Sequence, residues 1–173
     1  CRKCCTFGID LIFMKKNSIY ILFLALVFTA CEKDDICLSP TTPKLVLRFY
    51  DTANQATLKK VDRLSIWADG KDTLATYKSV SLDSVAIPLN VNTTQTIYHL
   101  KTNIVDGNKA NNLINTITIH YTTTEEYVSR SCGFKTIFNN VTITKSNGWI
   151  QSFTPTSLTK IDTQTSAHVK IYH

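Results

Sequence analysis

A chain of 173 residues with 43% apolar content has room for one hydrophobic core, and its composition excludes wholesale disorder. Its formal charge of +6 is concentrated at the start: Arg2, Lys3, Lys15 and Lys16 precede residue 31, and from Cys31 onward 15 basic side chains face 12 acidic ones, a balance of +3. That excess is scattered without a Lys/Arg block, so the basic stripe of a nucleic-acid-binding surface is missing.

Residues 1–13 place Cys1, Cys4, Cys5 and Asp10 ahead of Met14 and read as an over-extended start. Cys1-Arg-Lys-Cys4 has the gap of a zinc half-site, but no second pair follows at ligand spacing, and no metal is expected. Residues 14–30 have the outline of a secretory leader. Met14-Lys15-Lys16 is a positive start, Ile19 to Phe28 is an unbroken apolar run, and Thr29-Ala30 ends it on small residues. The run is half the length of about 20 residues that a spanning helix requires.

Phe28-Thr29-Ala30-Cys31 resembles a bacterial lipobox, in which the Cys is acylated and becomes the new N-terminus; Phe28 stands where Leu is usual. Lipidation of Cys31 serves anchorage: each buried methylene contributes about 0.8 kcal/mol, and a single chain holds only reversibly, so two or three are needed for a durable hold. The following Glu32-Lys33-Asp34-Asp35 resembles the signal that sends Bacteroidetes-type lipoproteins to the outer face of the outer membrane, with the periplasmic face as the alternative. Residues 31–43 are then a lipidated tether, and residues 44–173 the domain it carries.

With Cys31 acylated, Cys37 and Cys132 remain as one even pair in an oxidising compartment, and a disulfide is expected. The competing reading makes one of them a catalytic thiol, which requires a cation or His to depress its pKa. Arg130 stands two residues from Cys132, but no Cys-x-x-Cys is present after the leader.

From Lys44 the pattern has period two. Leu45, Leu47 and Phe49 alternate with Lys44, Val46, Arg48 and Tyr50, which predicts a strand with one apolar face. Further strands are predicted over 63–68, 73–80, 85–91, 96–105, 113–121, 127–138, 141–145, 149–153 and 169–172. Asp69-Gly70, Asp106-Gly107 and Asn147-Gly148 punctuate them as turns, the last as a hairpin joining 141–145 to 149–153. Pro88 removes a backbone donor and marks an edge strand or bulge. No long 3.6-period stripe appears. The expectation is an all-β antiparallel β-sandwich, immunoglobulin-like, with a small β-barrel as the alternative.

Candidate chemistry is sparse. His99, His120, His168 and His173 stand singly, and Glu125-Glu126 point to opposite faces of a strand, so neither set forms a ligand or acid/base pair by spacing. Trp67-Ala-Asp-Gly-Lys-Asp72 lacks the graded acidic spacing of a calcium loop and reads as a hairpin turn. No catalytic residue and no cofactor is expected. Trp67, Tyr98, Tyr121 and Trp149 are candidate ligand-facing aromatics for a sugar or peptide, against the alternative of core packing. Asp51-Thr52-Ala53, Asp72-Thr73-Leu74 and Asp83-Ser84-Val85 resemble the acceptor of Bacteroidetes-type O-glycosylation, which makes Thr52, Thr73 and Ser84 candidate sites.

Three segments together, Cys31-Glu-Lys-Asp-Asp-Ile-Cys37, Thr41-Thr-Pro-Lys-Leu-Val-Leu-Arg-Phe-Tyr-Asp51 and Glu126-Tyr-Val-Ser-Arg-Ser-Cys-Gly-Phe134, are similar to an uncharacterised Bacteroidetes lipoprotein family. The resemblance spans nearly all of the chain after the leader. It implies an outer-membrane address and a paired Cys37 and Cys132, and it implies no substrate. The expected function is a non-catalytic binding or scaffolding module of the cell envelope, held on the membrane by Cys31 and facing an outer-membrane protein or a glycan. The alternative is a carbohydrate-active or thiol-dependent enzyme whose site is assembled from distant strands.

Overall fold

The alternation over 44–50 is realised as strand β1 (Leu45–Tyr50), which buries Leu45, Leu47 and Phe49 and leaves Arg48 exposed. The computed structural model describes residue 37 and residues 42–103 and 108–173. The expected leader at 14–30, residues 1–13, the expected lipidation site Cys31, most of the expected tether and the expected Asp106-Gly107 turn lie outside the described residues.

Nine further strands follow: β2 (Val61–Ala68), β3 (Val80–Leu82), β4 (Ser84–Ile87), β5 (Gln95–Thr102), β6 (Leu113–Ser129), β7 (Gly133–Lys145), β8 (Ser152–Thr154), β9 (Ser157–Ile161) and β10 (Val169–Tyr172). They form two sheets, one ordered β4-β1-β10-β8 and the other β3-β2-β5-β6-β7-β9. The architecture is an all-β sandwich, and the described strands do not close into a barrel. Among the described strands, all pairings but one are antiparallel. The exception joins β1 to β10 in parallel, with Leu47 opposite Val169 and Phe49 opposite Ile171.

The core lies between the sheets and is built from alternate residues. Leu45, Leu47, Phe49, Val85, Ile87, Val169 and Ile171 come from the smaller sheet, and Leu64, Ile66, Leu100, Ile117, Ile119, Phe138, Val141 and Ile143 from the larger. Each such side chain contributes about 1.5–3 kcal/mol by leaving water. Period-two alternation is what allows this, since one face of each strand supplies the core while the other carries Thr, Lys and His.

His168 begins the parallel pairing. Its backbone N–H donates to the Val46 carbonyl at 2.9 Å, and its Nδ1 accepts the Val46 N–H at 2.9 Å. Accepting at Nδ1 requires the neutral ring. Burial lowers the His168 pKa, while a hydrogen bond to the Thr163 backbone and the Asp162 charge oppose that shift.

Three expectations about strands are corrected, and one strand stands where none is expected. Residues 73–80 form a short 3₁₀ turn over Ala75–Tyr77 rather than a strand, with only Thr73 bridged to Trp67. The three-residue spacing of Leu74 and Tyr77 suits that turn, and the Tyr77 hydroxyl exchanges hydrogen bonds with the backbone of Ala86. Residues 127–138 are not one strand but the two arms of a hairpin between β6 and β7, with Gly133 at φ 67°. Asn147-Gly148 is not a hairpin: the chain leaves the larger sheet after β7 and enters the smaller one at β8, which pairs with β10. Strand β9 was not anticipated, its Leu158 and Ile161 being too short a signal in a Thr-rich segment.

The crossover has its own physical logic. Asn115 is fully buried, donating from Nδ2 to the Ser146 carbonyl at 2.7 Å and accepting the Ile150 N–H at Oδ1 at 2.9 Å. Gly148 lies directly against it: a Cβ there would stand 2.3 Å from Asn115 Oδ1. The glycine is required by space rather than by a left-handed backbone. Pro88 follows the end of β4, an edge strand of the smaller sheet, where its missing donor costs no ladder bond.

Candidate functional site

The outward face of the larger sheet carries one organised cluster. Trp67 on β2 sits opposite His99 on β5, and His99 sits opposite Thr116 on β6. The Trp67 and His99 rings stack at 5.3 Å between centroids. Asp69, in the turn just after β2, places Oδ1 3.2 Å from His99 Nε2, and Thr116 Oγ1 lies 3.0 Å from Nδ1. A carboxylate only accepts, so Nε2–H donates to Asp69, and in the neutral ring the Thr116 hydroxyl donates to Nδ1.

That chain has the polarity of a hydroxyl–imidazole–carboxylate triad. Thr116 N–H is given to Ser146 Oγ at 2.9 Å, and its carbonyl accepts the Ser146 N–H at 2.8 Å. The N–H of Thr116 itself is therefore committed and is not offered to an oxyanion. Asp69 is also largely solvated. The arrangement fixes the imidazole against the indole and offers a small flat aromatic surface rimmed by hydrogen-bonding groups.

A cleft of about 530 Å³ opens beside Asp69, lined in part by Lys71, Pro88, Asn90, Gln95 and Tyr98. It lies at the end of the sandwich from which the β6–β7 hairpin continues beyond His120 and Thr142. Asn90, in its wall, is held by a closed ring of bonds. Asn90 N–H donates to Thr96 Oγ1 at 3.0 Å, Thr96 donates to the Tyr121 hydroxyl, and Tyr121 donates to the Asn90 carbonyl at 2.7 Å.

The four candidate aromatics are thereby divided. Tyr98 and Tyr121 are buried with the core, Tyr98 at the base of the cleft, because their strand parity turns them between the sheets and their hydroxyls are used by the loop after β4. Tyr98 donates to the Pro88 carbonyl at 2.6 Å, and burial, with Tyr121 beside it, pushes its pKa up to about 12. Trp149 packs on Phe49 and His173 and donates to the Leu100 carbonyl at 3.1 Å, so it too braces the core. Trp67 alone belongs to a surface cluster.

The second notable place is the hairpin end. Cys37 and Cys132 are joined by a disulfide, with Cα atoms 4.8 Å apart. The bond leaves neither thiol free, which removes the basis for a thiol nucleophile at either position. Two positions back from the turn, Tyr127 and Phe134 face one another across the strands, their rings edge-on at 5.5 Å. On the opposite face Glu126 and Lys135 form an ion pair at 3.3 Å.

Among the remaining candidates, His120, Glu125 and Glu126 are exposed on β6, Glu126 being paired with Lys135. No three His, Cys, Asp or Glu side chains among the described residues are placed to hold a metal ion. Thr52 is exposed on the bend after β1, Thr73 is half-buried beside Trp67, and Ser84 opens β4 opposite Arg48. Sequence reasoning missed the Asp69–His99–Thr116 chain, because only the register of β2, β5 and β6 brings those residues together.

The fold and these sites define a β-sandwich with a long hairpin covalently fastened to the segment that precedes it. The chain belongs to a family of unknown function, DUF6452, whose model matches residues 63–173. No curated protein and no solved structure matches it.

Proposed function

We propose that this chain is a lipid-anchored envelope protein of the Bacteroidetes type, cut before Cys31, acylated there, and sorted to the outer face of the outer membrane by Lys33-Asp34-Asp35. The sandwich is a non-catalytic binding or scaffolding module for an outer-membrane protein or a glycan. The observation that carries the reading is the Cys37–Cys132 disulfide. It uses up the even pair that remains after the leader, it belongs to an oxidising compartment, and it leaves Cys31 as the odd cysteine at the end of a leader-like segment. The Trp67–His99 surface supports a binding role, since a flat aromatic pair rimmed by Asp69 and Thr116 suits a sugar ring.

Intact mass spectrometry of the protein extracted from bacterial envelopes tests this. The expected species begins at acylated Cys31 and gains two hydrogens on reduction, and the same spectrum reads any sugar on Thr52, Thr73 or Ser84. A chain without acyl mass, or one whose Cys132 alkylates without reduction, refutes the reading.

A second reading, an enzyme whose site is assembled from distant strands, is favoured by one observation, the hydrogen-bonded Asp69–His99–Thr116 chain. Hydrolysis of glycosides or esters by the pure domain, abolished by His99→Ala while the thermal melt is unchanged, would establish it in place of the first.

A further inference from the structure

We infer that the end of the β6–β7 hairpin is a membrane-contact site, with Tyr127 and Phe134 seated in the interfacial layer of the bilayer that carries the acyl anchor. The inference rests on the lipid-anchored reading above and adds which surface meets the membrane. Of the large apolar side chains among the described residues, Tyr127 and Phe134 are the most exposed, at 56% and 60%, and they are paired with one another rather than with the core. Exposed aromatics pay an energetic cost in water, whereas the headgroup region accepts an apolar ring with a hydrogen-bonding edge.

The disulfide decides where this pair sits. Cys37 lies six residues after Cys31, so an extended chain separates them by at most about 20–22 Å. The bond adds only the 4.8 Å between the Cα atoms of Cys37 and Cys132, and Phe134 is two residues further. The next described residue buried in the domain is Pro43, twelve residues from Cys31, with a reach of about 40–43 Å. The cross-link thus shortens the leash and fixes it to the hairpin end as well as to the sandwich body.

The charge at this end is mixed, so the aromatic pair and the short leash carry the placement. Arg130 is exposed on the turn, Glu126 is paired with Lys135, and the tether fastened there carries Glu32, Asp34 and Asp35 against Lys33.

The test uses the full lipidated chain in vesicles of phosphatidylethanolamine and phosphatidylglycerol, with and without brominated acyl chains, which quench only tryptophans in contact with the bilayer. Phe134→Trp is compared with Leu113→Trp, an exposed position at the far end of β6, about 46 Å along the strand from Tyr127. Native Trp67 and Trp149 give the common baseline. The added tryptophan of Phe134→Trp is expected to lose most of its emission on bromination and that of Leu113→Trp none. Adding Cys132→Ser to Phe134→Trp is expected to restore much of the lost emission. A chain that floats with the vesicles but shows the same unquenched emission at both positions overturns the membrane contact and leaves anchoring intact, as for a hairpin that meets a protein instead. A chain that does not float overturns the anchoring reading and this inference with it.

Discussion

Replacing Gly148 with Ala tests the account of the crossover between the sheets. At an exposed site with ordinary backbone angles, Gly→Ala stabilises by about 0.4–1 kcal/mol because the unfolded chain loses freedom. Here the sign reverses. The new Cβ would meet Asn115 Oδ1 at 2.3 Å and Cγ at 2.7 Å, and Asn115 cannot swing aside without abandoning the Ser146 carbonyl and the Ile150 N–H. Leaving the buried Ile150 N–H and the part-buried Ser146 carbonyl unmet costs up to about 6 kcal/mol, whereas a backbone shift that keeps both bonds costs about 1–3 kcal/mol, the usual range for overpacking. The cheaper route sets the expectation, so Gly148→Ala is predicted to destabilise by about 1–3 kcal/mol.

Asn115→Ala alone removes the bonds and costs about 2–6 kcal/mol. In the double variant the methyl enters the space vacated by the amide, so the losses do not add, and a coupling of about 1–3 kcal/mol is expected. Urea denaturation of the four oxidised chains, followed by circular dichroism, measures the cycle. Additivity within about 0.5 kcal/mol would refute the steric argument, as would a Gly148→Ala chain no less stable than its parent.

Further outcomes follow from the same structure. Tyr121→Phe opens the ring of bonds through Thr96 and Asn90 and should lower stability by about 1–3 kcal/mol, read in the same denaturation assay. Burial lowers the folded-state pKa of both His168 and His173, so the unfolded chain binds more protons as pH falls through its histidine value of about 6.5. Stability is therefore full above that pH and declines below it; His168→Gln, which retains an acceptor without a titrating ring, should flatten the decline in melts taken between pH 7.5 and 5. Reduction of the disulfide, which closes a span of 95 residues, is predicted to cost up to about 4–5 kcal/mol in the chain-entropy treatment. Because the bond lies at the hairpin end, the far-ultraviolet spectrum of the reduced domain should keep its β character, and full unfolding on reduction would contradict the placement of the core.

Much of the fold is legible along the chain. The alternation at Leu45, Leu47 and Phe49 gives β1 almost to the residue, and the alternation at Ile117, Ile119 and Tyr121 gives the inward face of β6. Asn147-Gly148 marks a place where the backbone needs room, yet the dipeptide has the same local form whether the next strand lies alongside or in the opposite sheet. Residues 127–138 read as one strand because β-forming residues flank the turn on both sides and Arg130-Ser131-Cys132 carries weak turn chemistry.

The candidate surface is less legible than the fold. Tyr98 and Tyr121 have the composition of a binding platform, and only their parity relative to buried neighbours turns them inward. His99 gives no spacing signal at all, since Asp69 and Thr116 reach it across strand registers rather than along the sequence.

The sequence by itself determines that the segment from Lys44 onward is mostly β, which face of most strands is apolar, and that two cysteines after the leader-like segment form an even pair once Cys31 is set aside. These are local or additive properties, set by side-chain period and residue count. The tertiary structure alone decides how ten strands divide between two sheets, that β1 and β10 run parallel, and which aromatics stay at the surface. Alternation specifies that a face must be buried but not what buries it, and that choice depends on contacts between residues far apart in the chain.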